Sequence, residues 1–252
     1  MVFQPQNELE KSFILAAKNP AYRPKFYKDL INSDIYVVQE DVIRGEEVIT
    51  RVSKGESIKV GKIEYNGKLY IPIFTSLMRL EAVLKSPKSY VAMNCLAFME
   101  GARGSNLFLN YGSEFCKRFT AQEVESIIDG SIWNQPSGFT VPVGTKVRLG
   151  QPAKYPSEMI AALSDFFKQK NIVKKAYLAL ISYDTTNKIP PHTLIGIECD
   201  NEWDEMLSEV SIVLNNVKIP NPPVDFCRLT GKKDGNEAYF INFCKPFFIR
   251  TE

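Results

Sequence analysis

Residues 68–84 read KLYIPIFTSLMRLEAVL. Leu69 to Phe74 is a continuous apolar run of strand length, rich in β-branched and aromatic residues. Thr75-Ser76 follows, a pair that favours helix starts because a hydroxyl can accept from the free N–H groups of a first turn. Leu77, Leu80 and Leu84 then share one face at helical spacing. The stretch predicts a buried strand that passes through a Phe74-Thr75-Ser76 turn into an amphipathic helix. Nothing in it is a nucleophile elbow, a phosphate loop or a metal site.

Upstream, Asn66-Gly67 separates Ile58–Tyr65 from Lys68–Phe74, and this dipeptide between two strand-like runs predicts an antiparallel hairpin. Asn7 with Glu10 three residues on predicts a helix start, with Leu9, Phe13, Ala16 and Ala17 as its apolar face. A shorter helical turn is expected over 23–30 and a strand over 34–39, followed by a charged, irregular stretch over 40–55. Downstream, Tyr90 to Met99 mixes strand and helix character. Asn106 to Leu109 predicts a short strand. Thr120 and Glu123 form a capping box ahead of Val124, Ile127 and Ile128, and Gly130 closes that helix.

Pro136, Gly138, Pro142 and Gly144 break the periodicity, which places a domain boundary there. The expected organisation is a first domain over 1–133, a linker over 134–145 and a second domain over 146–252. The second half reads strand (146–149), helix from Pro156, strands over 176–182 and 193–199, helix from Trp203, and strands over 224–229 and 238–250. In the helix from Trp203, Met206, Leu207, Val210, Val213 and Leu214 face inward, while Glu202, Asp204, Glu205 and Glu209 ride the other side. The fold class is α+β, two small α/β domains. The β-α-β-β-α-β order of the second suggests the split βαβ, ferredoxin-like sheet with helices on one face.

At 252 residues, with 44% hydrophobic and 24% charged content, the chain can bury a core without disulfides or metals. A formal net charge of +2 leaves no electrostatic footprint for nucleic acid. The five cysteines, Cys95, Cys116, Cys199, Cys227 and Cys244, are odd in number and widely spaced, with no CxxC. That pattern excludes a disulfide framework and a structural zinc site, and it suits reduced thiols in the cytoplasm. The N-terminus lacks a signal-peptide pattern, and no apolar run approaches the ~18 residues of a membrane helix.

Candidate chemistry is sparse. His192 is the single histidine; it follows Pro190-Pro191 at a strand mouth and is a candidate base or ligand anchor, or else a loop-end histidine bonded to backbone. Cys116 precedes Lys117 and Arg118, which could favour a thiolate, although any surface cysteine in a charged chain has such neighbours. Phe74, Thr75, Ser76 and Arg79 sit where a strand hands over to a helix, so free N–H groups there could hold an anion, or the hydroxyls could simply cap the helix. Gly101 and Gly104 make no phosphate fingerprint. No catalytic residue, metal ligand or cofactor is assigned; Phe74, Thr75, Ser76, Arg79 and His192 are the candidate binding residues.

A series of landmarks runs in order along nearly the whole chain. In the first half they are Asn7 to Glu10, AAKNPAYRPKF (16–26), PIFTS (72–76), LFLNYG (107–112) and Phe119 to Glu123. In the second they are LGQPAKYP (149–156), Ala176-Tyr177-Leu178, PHTLIG (191–196), Val224-Asp225-Phe226 and Pro246-Phe247-Phe248. With them the chain resembles the SseB family, the enhanced-serine-sensitivity proteins. The resemblance implies a soluble two-domain bacterial protein and carries over no catalytic mechanism. The expectation is a non-enzymatic cytoplasmic adaptor whose partner is another protein, docked on a sheet edge or around Phe74–Arg79 and His192, with self-association left open. The alternative is a small-molecule binder or enzyme linked to serine or sulfur amino-acid metabolism.

Overall fold

The computed structural model describes residues 3–40, 59–86, 88–134, 147–183, 190–231 and 235–251. The irregular stretch expected after residue 40, Ile58, and most of the proposed linker lie outside them. The chain divides into two compact units, Met1–Lys18 with Tyr22–Ile132, and Asn19–Ala21 with Trp133–Glu252. Each is an open sheet with helices, an α+β architecture.

In the first unit, helices α1 (Glu8–Lys18) and α2 (Arg23–Asn32) pack through stacked Phe13 and Phe26, ring centroids 4.9 Å apart. Leu9, Phe13 and Ala16 are buried as the periodicity requires, whereas Ala17 is exposed. Strands β1 (Asp34–Val38), β2 (Ile63–Tyr65) and β3 (Lys68–Phe74) follow. After β3 come α3 (Leu77–Glu81), β4 (Tyr90–Asn94), α4 (Cys95–Gly101), β5 (Leu107–Leu109), β6 (Lys117–Phe119) and α5 (Ala121–Ile128).

The sheet order is β4-β1-β3-β5-β6, with β2 paired to β3. β3 is central, and its last five residues are buried. The hairpin forms through Asn66 and Gly67, both at positive φ, with Tyr65 opposite Lys68. β2 covers Lys68 to Tyr70 and β1 covers Ile73 to Phe74. The Ile71 N–H donates toward β5, to the Asn106 carbonyl at 2.9 Å. Backbone alternation therefore aims the Pro72 nitrogen at the fork between β2 and β1, where its missing N–H leaves no ladder bond unmade. The mixed stretch 90–99 resolves at Asn94, which ends β4 and caps α4 by accepting from the Ala97 N–H at 3.1 Å.

In the second unit the elements are β7 (Val147–Gly150), α6 (Ser157–Lys168), β8 (Val173–Tyr183), β9 (His192–Cys199), α7 (Trp203–Leu214), β10 (Val224–Leu229), α8 (Gly235–Phe243) and β11 (Phe248–Ile249). The β-α-β-β-α-β order is present, but the pairing is not the split βαβ one. β7 lies antiparallel on β8 instead of being separated from it by a third strand, and the order is β10-β9-β8-β11. β7 takes the Leu180–Tyr183 end of β8, and β11 takes its Lys175–Ala176 end. Among the described strands of this unit, only β9 and β10, joined through α7, pair in parallel.

Helices cover both faces of this sheet. Phe248 is opposite Ala176 and meets the ring of Phe167 on α6 at 5.8 Å. On the other face Tyr177, Ala179 and Ile181 form a core with Phe240 of α8. Residues 238–250 thus form a helix and a two-residue strand instead of one strand. Aromatic β propensity is overridden because Phe240 and Cys244, one helical turn apart, both bury against the sheet. Glu209, expected to face solvent, is 3% exposed and pairs with Lys170 at 2.5 Å.

Candidate functional site

The strand-to-helix turn of the first unit is a closed polar knot. Ser76 caps α3, its hydroxyl accepting from the Arg79 N–H at 3.4 Å. Thr75 and Ser76 also donate their hydroxyls to Glu10 Oε1, at 2.7 and 2.9 Å. Arg79 Nη2 approaches Glu10 Oε2 at 2.9 Å, and Arg79 Nε approaches Oε1 at 3.3 Å. The Gln6 N–H donates to Oε2 at 2.9 Å. An anion does sit at this turn, but it is the chain's own carboxylate, held by hydroxyls and a guanidinium.

Asn110, the residue after β5, closes the knot. It adopts φ 52, a left-handed backbone that Asn tolerates, and is fully buried. Its Oδ1 accepts from the Thr75 N–H at 3.0 Å while its Nδ2 donates to Thr75 Oγ1 at 3.0 Å. Asn7 both caps α1, accepting from the Glu10 N–H at 2.9 Å, and donates to the Thr75 carbonyl at 2.7 Å. Burial pulls the Glu10 carboxyl upward, but Arg79, Thr75, the Gln6 N–H and Ser76 together hold it below the ordinary carboxylate value.

Phe74 points away from this knot, into a cluster with Val38 and Leu80, and is 1% exposed. Of the first-unit candidates, the structure brings Thr75, Ser76 and Arg79 together on Glu10. Pattern reasoning read Glu10 and Asn7 only as helix-start residues and missed Asn110. Glu123 repeats the lesson: Thr120 accepts the Glu123 N–H at 3.1 Å, while the Glu123 side chain turns to the Tyr27 hydroxyl at 2.6 Å and to Lys117 at 2.9 Å.

His192 belongs to the second unit and is 1% exposed. Its Nε2 lies 2.8 Å from Asp225 Oδ2 on β10, and its Nδ1 lies 3.1 Å from the Pro190 carbonyl. The Tyr183 ring packs beside it at 5.6 Å, and the Tyr183 hydroxyl donates to Asp225 Oδ2 at 3.5 Å. Burial, then the Asp225 charge and hydrogen bond, push the Tyr183 phenol upward.

All five cysteines are free, and Cys116 is exposed. Lys117 is paired with Glu123, and Arg118 lies over the Tyr65 ring, so neither neighbour is reserved for the Cys116 sulfur. Burial pushes Cys95 to about 12; burial with Glu237 and Asp225 pushes Cys227 to about 12. Among the described residues no cluster of His, Cys, Asp or Glu could hold a metal ion, and no helix is long and apolar enough to cross a membrane.

The fold and these sites define an α+β chain of two open-sheet units, each with a polar cluster tying distant segments together. The SseB protein N-terminal domain matches residues 9–126 and the SseB protein C-terminal domain matches residues 141–250. The chain belongs to the SseB family. It is 28% identical over 249 residues to Protein SseB of Escherichia coli (strain K12), spanning 98% of this chain and 93% of that protein. The figures for Protein SseB of Shigella flexneri are the same. No solved structure matches the chain significantly.

Proposed function

We propose that this chain works by binding another protein, as an adaptor without chemistry of its own, in the cytoplasm. The observation that carries the reading is the surface of α8. The segment Ala238-Tyr239-Phe240-Ile241 is one wholly apolar turn of α8, and apolar side chains are ordinarily buried. Here Phe240 is fully buried, yet Phe243 is 75% and Ile241 39% exposed. Rings step outward from the core, Tyr177 to Phe240, Phe240 to Tyr239 and Tyr239 to Phe243, at 6.1, 6.1 and 5.9 Å. An aromatic braced on the core from behind loses little freedom on binding, which is what an interface anchor needs. The partner would offer an apolar pocket for Phe243.

The test is affinity capture under mild crosslinking with wild-type chain and with Phe243→Ser, followed by reconstitution with the purified partner. A partner that binds the wild type directly and is lost in a folded Phe243→Ser chain supports the reading. Equal capture by both chains overturns the assignment to α8, and capture by neither overturns the reading as a whole.

The alternative, small-molecule binding in serine or sulfur amino-acid metabolism, rests on a cleft of about 270 Å³ lined by Leu80, Leu84, Lys85, Lys88 and Tyr90 among others. It combines an apolar floor with Lys85, Lys88 and the carboxylate of Glu81, but lies just below the usual ~300–1,000 Å³ of ligand pockets. Native mass spectrometry of chain from its host, with a retained small molecule lost in Tyr90→Ala, would favour it.

A further inference from the structure

Residues Phe3 to Gln6 form no helix or strand, yet three of the four are fastened to the first unit. The Phe3 ring lies over the Arg79 guanidinium, 3.6 Å from centroid to Cζ. The Gln4 carbonyl accepts from Arg79 Nη2. The Gln6 N–H donates to Glu10 Oε2 at 2.9 Å. Phe115 closes the far side, its ring meeting Phe3 edge-on at 5.1 Å, and Lys18 Nζ lies 5.8 Å from the Phe115 ring.

These contacts have the grammar of peptide recognition. Glu10 holds the Arg79 guanidinium from one side, which leaves a flat face for an aromatic ring and a further N–H for a carbonyl. The first position is read by its side chain and the second by its carbonyl, while the Gln6 N–H meets Glu10 only four residues on, at the start of α1. Pro5 stands at the third, where it offers no N–H and its ring fixes φ. The Glu10 carboxylate holds Arg79 through contacts that do not involve Phe3.

We infer that the surface made by Arg79, Glu10 and Phe115 is a binding site for an extended aromatic–Xaa–Pro–Xaa segment of a partner protein, and that the chain's own Phe3-Gln4-Pro5-Gln6 fills it in cis. The inference rests on the reading that the chain binds proteins and adds a surface independent of α8. A tethered segment competes at an effective concentration of about millimolar, so an identical segment from a second copy holds no advantage over it. The occupant is therefore a partner whose segment binds better than this one.

The probe is a fluorescent peptide of residues 1–6, MVFQPQ, titrated into purified full-length chains and read by anisotropy. The Phe3→Ala chain, with its own anchor removed, takes up the peptide. The wild type takes it up at least tenfold more weakly, because its site is filled. The Phe3→Ala/Phe115→Ala chain also binds at least tenfold more weakly, and a peptide carrying alanine in place of its phenylalanine does not bind. Circular dichroism verifies folding, and Phe3→Leu, which keeps the apolar bulk without the ring, serves if Phe3→Ala fails to fold. No uptake by a folded Phe3 variant, or equal uptake by variant and wild type, overturns the inference. So does concentration-dependent dimerisation through exchanged N-terminal segments, which would make a second copy the occupant. Capture that depends on Phe243 while the peptide fails sinks this inference alone; peptide uptake without Phe243-dependent capture sinks the α8 reading alone.

Discussion

Arg79 and Glu10, 69 residues apart in sequence, meet at 2.9 Å with the Glu10 side chain wholly buried and that of Arg79 13% exposed. Removing one partner of such a pair leaves an uncompensated charge, so Glu10→Gln is expected to lower the stability of the first unit by about 3–5 kcal/mol at neutral pH. The pH dependence has a definite sign. The folded carboxyl is held below its ordinary value. The stabilisation is therefore complete above the unfolded value of about 4.3 and is lost as pH falls through the lower folded value. Denaturant melts across that acid range should show a shallower pH slope for Glu10→Gln than for the wild type.

The His192 ring has an acceptor at each nitrogen, the Pro190 carbonyl at 3.1 Å and the Asp225 carboxylate at 2.8 Å. A buried ring so bound ties the entry of β9 to β10. His192→Ala strips partners from both acceptors and is expected to cost about 1–3 kcal/mol. Asp225→Asn, whose amide can still bond a neutral ring, should cost less. Thermal unfolding of the two variants checks the order, and an equal loss would mean that the Asp225 charge, rather than the hydrogen bond itself, holds the ring.

Local chemistry was legible in the sequence where it acts within a few residues. Asn7, Ser76 and Thr120 each accept the N–H three residues on, as their positions predicted. The Asn66-Gly67 turn announced the β2–β3 hairpin for the same reason. The knot was not legible, because Glu10, Arg79 and Asn110 come from three distant segments and no spacing rule links them. Glu10 looked like half of a capping box, and it does reach back to a backbone N–H, but that of Gln6 and not of Asn7. Residues 238–243 looked like strand because aromatic and branched side chains favour both a sheet and a well-packed helix; only contact with the β8–β9 face decides between them. The pairing of β7 beside β8 is likewise a long-range choice that the order of elements leaves open.

Thiol chemistry should separate the cysteines sharply. Cys116 is exposed, while Cys95, Cys199 and Cys244 are buried and Cys227 is half-buried with its thiol pushed to about 12. Because the thiolate is the reacting form, native chain treated with iodoacetamide near pH 8 should take up one label, at Cys116. The other sites should react only in denaturant, as peptide mass spectrometry would show. Fast labelling of Cys227 in the native chain would contradict the packing of β10 against α8.

Two glycines with the same backbone strain should differ in what a methyl group costs. Gly130 has φ +77 with nothing within 4 Å of an added Cβ, whereas at Gly112, φ +80, the Cβ would stand 2.7 Å from Val83 Cγ1. Gly130→Ala should cost only the left-handed backbone penalty, about 1–2 kcal/mol. Gly112→Ala adds a clash, typically about 1–3 kcal/mol more, unless Val83 moves. Val83 is half-buried and packs against Phe74 and Leu80, so its freedom to move is limited. A Gly112→Ala/Val83→Ala chain should therefore recover most of the excess over Gly130→Ala, a coupling that denaturant melts of the single and double variants would measure. No recovery would mean that the cost at Gly112 lies in the backbone alone.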